Sequence, residues 1–583
     1  TWEGKILVPF AIESALSGVG KTVGEDQKLW YRTPVFVPEN WRDEDLFIHF
    51  GAVDWHATVW LNGRQVGEHK GGYTPFSCSV GEALKDGEAQ ELIVSVWDPT
   101  DGGFQPRGKQ VKQPKGIWYT SVTGIWQTVW LEPVPKEHIT KVQLIPDIDS
   151  KLIRLNVSHA GTVAKIRAEV LDRHSTVSKA EGAGPGLELE IASPKLWSPE
   201  RPHLYGVRIF LEDENGGVID SVYSYCGMRK ISFAKDDKGI NRLFLNNEPI
   251  FMYGPLDQGW WPDGLYTAPT DAALKSDIQL TKQLGFNMAR KHVKVEPERW
   301  YFWCDVLGLL VWQDLPNGDK HIKPDEPDII RTPESEANYR REYQEMVEFL
   351  HNHPSIVVWV PFNEGWGQFK TDEILAWAKE LDPTRLIDGP SGWTDRGTGD
   401  ILDIHSYPGP AIPELDENRV AVLGEFGGLG LPLENHLWWD KRNWGYRTYH
   451  TRDELWSNYQ RLMRKLFPMI GNGLAAAIYT QTTDVEGEVN GLVTYDRKRV
   501  KFDIEAMRAL NERVYGPQPT FERTVIVPAS DKEPQTWSYS TSKPVDGWEK
   551  TGFDTSKWKT GKGGFGSKGT PGANVETEWS SKD

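Results

Sequence analysis

The sequence predicts a multidomain chain: a jelly-roll β-sandwich, an immunoglobulin-like β-sandwich and a (β/α)8 barrel, with the start of a further β domain. Three observations carry this reading. Short alternating strands with turn signals fill the first 233 residues. After Phe244-Leu245-Asn246-Asn247-Glu248-Pro249 the pattern changes to strand then helix, repeated. The apolar strands in that second region number eight, which is what closes a parallel barrel. A length of 583 residues is compatible with about four domains.

The first domain is read over 1–134. Leu46-Phe47-Ile48-His49-Phe50 is a strand, and Ala57-Thr58-Val59-Trp60-Leu61 is another. The latter meets Asn62-Gly63, a strong hairpin signal. Glu91 to Trp97 and Ile125 to Glu132 complete an antiparallel sandwich whose first strand is expected to be missing. Such a module can bind sugar or serve as scaffold. Pro133-Val134-Pro135 opens the second domain, 135–233, whose strand spacing suits an immunoglobulin-like sandwich without its disulfide.

The barrel is read over 234–516. Its strands are Ile250 to Tyr253, Phe286 to Lys291, Leu309 to Gln313, Ile356 to Val360, Arg385 to Asp388, Asp403 to His405, Val420 to Gly424 and Ala475 to Tyr479. Roughly as many helical crossovers are expected. Thr270 can cap a helix that places Leu274, Ile278, Thr281 and Leu284 on one face. A doubly wound open sheet is the alternative, weakened because no glycine-rich phosphate loop opens a helix. From 517 to 583 the chain is rich in Gly, Ser and Trp and is read as the start of a truncated β domain.

Bulk properties exclude several classes. A net charge of −17 argues against nucleic-acid and anionic-membrane partners, and no apolar run reaches the length of a membrane span. Cys78, Cys226 and Cys304 are far apart, so neither a disulfide framework nor a zinc spacing can be built. His351 and His353 sit at the far end of their strand from any site. No metal and no cofactor are expected, and the oligomeric state is not legible. The 27 tryptophans are the outlier, and an indole face stacks on a sugar ring.

In a (β/α)8 barrel the chemistry lies at the carboxyl ends of the strands. The residues there are Asp257, Arg290, His292, Asp314, Asn363, Glu364, Ser391, His405, Tyr407, Glu425, Gln481 and Asp484. Glu364 and Glu425 each end a short apolar strand before a glycine turn, on the fourth and seventh strands. Those strands face one another across the mouth. Two carboxyls about 5–5.5 Å apart are the pair of a retaining glycosidase. Asn363 is placed to bond a hydroxyl beside the reacting carbon, and Tyr407 to hold Glu425 ionised. Asp257 and Trp260, in the loop after the first strand, suit a sugar platform. Trp366 and Trp393 suit walls of the subsite, and Arg290, His292 and Gln481 are further substrate-binding candidates.

Taken together, these motifs resemble glycoside hydrolase family 2, over nearly the whole chain. His353-Pro354-Ser355 with Asn363-Glu364 is similar to the family's acid/base signature, and Gly424-Glu425-Phe426-Gly427 to its nucleophile strand. Gly285 to Arg290 and Cys304 to Leu309 are similar to the second-strand and second-helix signatures. The resemblance implies Glu364 as acid/base, Glu425 as nucleophile, and Asn363, His405 and Tyr407 beside them. Two departures stand out. The family often has Arg-x-Ser-His-Tyr-Pro on the second strand, and here His292 comes one place early. β-Glucuronidases of the family carry an Asn-x-Lys pair late in the barrel for the sugar carboxylate, and Val489-Asn490-Gly491-Leu492 has no Lys. The expectation is therefore an exo-acting retaining β-galactosidase acting on an oligosaccharide or polysaccharide, in the periplasm or outside the cell. A β-glucuronidase, β-mannosidase or arabinosidase of the same family, or a non-catalytic glycan-binding scaffold, is the alternative.

Overall fold

The computed structural model of the chain describes residues 2–520, 526, 528, 530, 533–568 and 574–579. Thr1–Thr520 form one compact unit and Phe521–Asp583 another. In the first unit, Leu29–Phe36, Ala89–Trp97, His56–Leu61 and Arg64–Lys70 form an antiparallel sheet in that spatial order. Val129–Val134, Asp45–Phe50 and Phe76–Ser79 form a second sheet. His56–Leu61 alternates half-buried with buried residues, which turns Ala57, Val59 and Leu61 into the core between the sheets. Asn62 and Gly63 both have positive φ, 52° and 84°, and Leu61 pairs with Arg64. That is the tight hairpin turn whose twist matches the strands.

The second sandwich pairs Ile139–Asp147, Leu152–His159 and Gly186–Glu190 in one sheet. Ser175–Gly182, Lys165–Asp172, Tyr205–Glu212 and Val218–Cys226 form the other. Its core is aliphatic, with Cys226 buried and free. A small sheet of Ile231–Lys235, Asn241–Leu245 and Glu248–Pro249 follows. Its Ile231, Leu243 and Leu245 share one cluster with Met252, Val357, Val422 and Ile478, so it stoppers the amino-terminal mouth of the barrel.

The barrel strands are Met252–Asp257, Met288–Lys291, Leu310–Asp314, Ile356–Val360, Leu386–Ile387, Ile401–Ser406, Val420–Gly427 and Ala476–Thr480. All are parallel, in the order fifth, fourth, third, second, first, eighth, seventh, sixth. A bridge between Asp388 and Ile401 links the fifth and sixth strands and closes the ring. The first strand starts later than expected and runs on to Asp257, and the seventh extends past Glu425.

Six α-helices follow strands one, two, three, four, seven and eight. Thr270 caps the first of them by accepting from the Ala273 amide. Strands five and six have no helix after them, contrary to the expected near-complete set of crossovers. Residues 389–399 hold Gly389, Pro390, Gly392, Gly397 and Gly399, and Pro408, Gly409, Pro410 and Pro413 follow the sixth strand. That content breaks helices.

In the second unit, Thr536–Tyr539 pairs antiparallel with Lys559–Lys562, and Phe565–Gly566 pairs with Thr577–Glu578. Of the further β domain expected over 517–583, residues 521–525, 527, 529, 531–532, 569–573 and 580–583 lie outside the described residues.

Candidate active site

The fourth strand, Ile356–Val360, is buried along its whole length and delivers Asn363 and Glu364 to the barrel mouth. Glu364 has a positive φ of 50°, followed by Gly365 at 76° and Gly367 at 63°. Its amide donates to the Ser391 carbonyl at 2.8 Å, which fixes the turn to the loop after the fifth strand. A left-handed glutamate costs about 1–3 kcal/mol, the kind of strain that collects at active sites. The seventh strand brings Glu425 to the same mouth. One oxygen of each carboxyl and a nitrogen of His405 all lie within 4.8 Å of one another. Oxygens this close suit the about 5–5.5 Å carboxyl separation of a retaining pair better than the roughly 6.5–9.5 Å of an inverting one.

The two carboxyls have different surroundings. Glu425 Oε1 faces Arg290 Nη1 at 3.4 Å, and its Oε2 accepts from the Tyr407 hydroxyl at 2.6 Å. Burial alone would raise its carboxyl. Charge on His405 and Arg290, with the Tyr407 hydroxyl, outweighs burial and holds Glu425 down at about 2. His292 adds to this lowering, although burial and the nearby Lys109 push its own value well below the usual range. Glu364 instead meets His405, whose Nδ1 is 2.7 Å from Glu364 Oε1 and 3.5 Å from Glu425 Oε2. Burial opposes charge on His405, yet Glu425 and Glu364 more than offset it and raise its value. His405 Nδ1 thus stands between Glu364 and a carboxylate that stays ionised.

Arg290 ties the floor together. It is fully buried and makes a two-pronged pair with Asp314, at 2.9 Å on each arm. Its Nη2 also donates to Asn363 Oδ1 at 2.8 Å, and His292 Nδ1 is 2.9 Å from Asp314 Oδ2. With its oxygen so engaged, Asn363 turns its Nδ2 away, and that buried donor has no partner. An unpaired buried amide donor costs about 1–3 kcal/mol until a ligand meets it.

Glu364, His405 and Glu425 form the one grouping among the described residues that could present three ligands to a metal. A catalytic zinc uses three such ligands and a water. Here the Arg290 guanidinium at 3.4 Å from Glu425 opposes a cation, and His405 Nδ1 is already bonded to Glu364. The donor set fits a hydrogen-bonded carboxylate pair better than a metal.

Other expected residues are placed differently. Asp257 is not free for a hydroxyl: one oxygen takes Lys291 at 2.7 Å and the other the Gly259 amide at 2.9 Å. Trp260 is 1% exposed and packs on Tyr119 and Tyr266, so it offers no sugar platform. Gln481 is fully buried, and its amide is taken up by Gln258, Glu488 and Asn490. Trp366 stacks on His321, tilts against Trp118 and approaches His292. Trp393, 45% exposed, sets its ring edge-on to His405.

Several participants escaped the sequence reading. Ser391, seen only as a strand-end residue, lies 2.9 Å from His405 Nε2 and donates to Asp403. Tyr446 stacks on Tyr407 at 3.6 Å, almost parallel. The jelly roll also reaches the mouth. The amides of Arg107 and Gly108 donate to the Asn317 carbonyl, and Asn317 Oδ1 accepts the Asn363 amide. Tyr119 donates to Glu488 at 2.8 Å. Nothing in strand periodicity marks a loop of one domain as a rim of another. Asp257-type strand-end logic reaches only the barrel's own residues.

Comparison with known proteins matches this architecture. Residues 11–135 match the family description "Glycosyl hydrolases family 2, sugar binding domain". Residues 132–229 match "Glycosyl hydrolases family 2", and 242–416 match "Glycosyl hydrolases family 2, TIM barrel domain". A β-galactosidase of Thermoanaerobacter pseudethanolicus is 29% identical over 354 residues, covering 58% of this chain and 44% of that protein. A protein of Formosa agariphila that carries a β-glucuronidase name is 28% identical over 451 residues, covering 74% of this chain and 40% of its own. The chain thus spans about two fifths of the length of the curated relatives it matches. A crystal structure of Ruminococcus gnavus β-glucuronidase superposes with a TM-score of 0.70 at 19% identity, over 87% of this chain and 92% of that one, which speaks to the fold. Three matched domains in the family's order mean that the chain belongs to glycoside hydrolase family 2.

Proposed function

We propose that the chain is a retaining β-glycosidase. The observation that carries this is the Glu364–Glu425 pair, with oxygens within 4.8 Å and Glu425 held ionised by Arg290 and Tyr407. In the first step the Glu425 carboxylate attacks the anomeric carbon, and Glu364 gives its proton to the departing glycosidic oxygen. A glycosyl ester on Glu425 and a free alcohol result. In the second step Glu364, now a carboxylate, takes a proton from water. The water oxygen bonds the anomeric carbon and Glu425 leaves. The orphaned Asn363 amide suits a sugar hydroxyl next to the reacting carbon, where a bond strengthens in an oxocarbenium-like transition state. The chemistry calls on no metal or cofactor.

The finer reading is an exo-acting β-galactosidase on an oligosaccharide or polysaccharide, in the periplasm or outside the cell. The exo mode is carried by family resemblance. The preference for galactose is supported by a β-galactosidase among the relatives and by the lack of a lysine next to Asn490. Following the hydrolysis of an aryl β-galactoside by 1H NMR tests the mechanism. The β anomer of galactose as first product supports it, and the α anomer refutes retention. A panel of aryl galactoside, glucuronide, mannoside and arabinoside tests the sugar. Equal turnover by wild type and Glu425→Ala would leave the scaffold reading standing.

A further inference from the structure

The loop of the jelly roll that enters the barrel mouth carries two cations, Arg107 and Lys109, that make no direct ion pair with a carboxylate among the described residues. Lys109 is 5% exposed, and among the described residues its ammonium has no hydrogen-bond or ion-pair partner. It lies 5.3 Å from the centre of the Tyr119 ring and gives up only its backbone carbonyl, to the Tyr119 amide. Arg107 lies over Trp118, and its buried Nε has no partner. A buried lysine without a counter-ion is costly, and buried charges are as a rule paired. The placement is firm. Gly108, between the two cations, has a positive φ of 61°, and a Cβ there would press on the Val293 carbonyl. The loop is thus seated against the residue that follows His292. Lys109 acts electrostatically on His292 and on Glu488. Contacts tie the loop to the mouth: Arg107 lies over Trp118, which packs on Trp366 beside His292, and Tyr119, next to Lys109, donates to Glu488.

We infer that this rim is an anion-recognition subsite built on Lys109, with Arg107 beside it, and that the glycan bound at the mouth bears a carboxylate or a sulfate ester. The inference rests on the glycosidase reading only for the location of the sugar. It reopens the choice of sugar, because the cation that the late barrel loop lacks comes here from another domain. Lys501, the buried ammonium that follows Asn490 in the chain, is not available. It is buried against Asp484 at 2.6 Å and the Val489 carbonyl at 2.8 Å.

The test is equilibrium binding, by calorimetry on the full chain, of D-galactose, D-galacturonate, D-glucuronate and galactose 6-sulfate. One charge-assisted contact is worth about a tenfold to hundredfold difference in affinity. Wild type is expected to bind at least one acidic sugar that much more tightly than galactose, and to lose the difference as salt is raised. The uronate and sulfate arms report which anion is recognised. Lys109→Met is expected to abolish the preference while keeping galactose affinity, Lys109→Arg to restore part of it, and Arg107→Leu to weaken it. Equal binding of neutral and acidic sugars by wild type overturns the inference, whatever the variants do. So does a Lys109→Met loss that is the same for galactose and the acids, since Lys109 would then serve only to balance Glu488. Release of nitrophenol from 4-nitrophenyl β-galactoside is read separately, so failure of the glycosidase reading is not confused with failure of the subsite.

Discussion

Replacing Tyr407 by Phe removes one bond that keeps Glu425 ionised. The contact is short, 2.6 Å, with Glu425 buried and Tyr407 half-buried. A hydrogen bond to a charged acceptor is worth about 1.5–3 kcal/mol. One pKa unit corresponds to about 1.4 kcal/mol, so Glu425 should rise by roughly one to two units. Starting from about 2, it reaches roughly 3–4 in the variant. The sign is fixed by the direction of the shift. A lowered carboxyl attacks as the anion, so raising its value moves the acid limb of kcat/KM to higher pH. The stability it contributes is present above the ordinary carboxyl range and is lost as pH falls toward 2. Tyr407→Phe therefore costs stability mainly above the ordinary carboxyl range, and the variant loses less than the wild type as pH falls, because its folded value lies closer to the unfolded one. The assay is kcat/KM for an aryl glycoside from pH 3 to 8, with circular dichroism at each pH. The variant should lose activity below about pH 4 while still folded, where the wild type holds level. An acid limb that does not move would refute the assignment of Tyr407 and, with it, the account of how Glu425 stays ionised.

Other consequences follow from particular contacts. Asn363→Ala should lower kcat/KM by about a hundredfold to a thousandfold on a substrate with a 2-hydroxyl, the range for losing one transition-state donor, and by little on the 2-deoxy substrate; equal losses on both would remove Asn363 from that role. Glu342 and Glu486 are buried carboxyls pushed up to about 7 by desolvation, and they bond Trp55 and Thr120 of the jelly roll. Because their folded values lie above the ordinary value, the stability they contribute is complete below about 4.5 and is lost as pH rises through about 7. The thermal unfolding temperature should therefore carry a falling contribution between about pH 4.5 and 7 that Glu342→Gln and Glu486→Gln remove, and an unchanged pH dependence in both variants would contradict the burial argument. Asp305 accepts from the Ser355 amide and Tyr225 and bonds His353. Asp305→Ala should destabilise the first unit by about 3–5 kcal/mol, as breaking one partner of a buried pair does, without moving the pH–rate profile.

The barrel was legible because its strands are short apolar runs that end at recognisable turns. Ile356–Val360 and Val420–Gly427 carry little besides β-branched and small apolar residues, and each delivers a glutamate. The pairing of Glu364 with Glu425 followed from counting strands, and the same logic placed Arg290, Asn363, His405 and Tyr407 at the site. It failed where side-chain packing decides. Strand-end position put Asp257 and Gln481 at the mouth, but Lys291 and Glu488 occupy them. Trp260 looked like a platform because an indole in a loop is ambiguous between stacking on sugar and filling a core. The loop holding Arg107 and Lys109 was invisible because its role depends on how two domains dock. The missing helices after strands five and six could have been read from the glycines and prolines there. The expectation of roughly as many crossovers as strands prevailed over that local signal.

The most direct measurement is mass spectrometry after incubation with a 2-deoxy-2-fluoro β-galactoside carrying a good leaving group. That substrate slows release of the glycosyl-enzyme. The account predicts a single fluoroglycosyl ester on the peptide containing Glu425, and none in Glu425→Ala. A label on Glu364 or on another carboxyl, or turnover of a good aryl glycoside with no trapped ester, would contradict it.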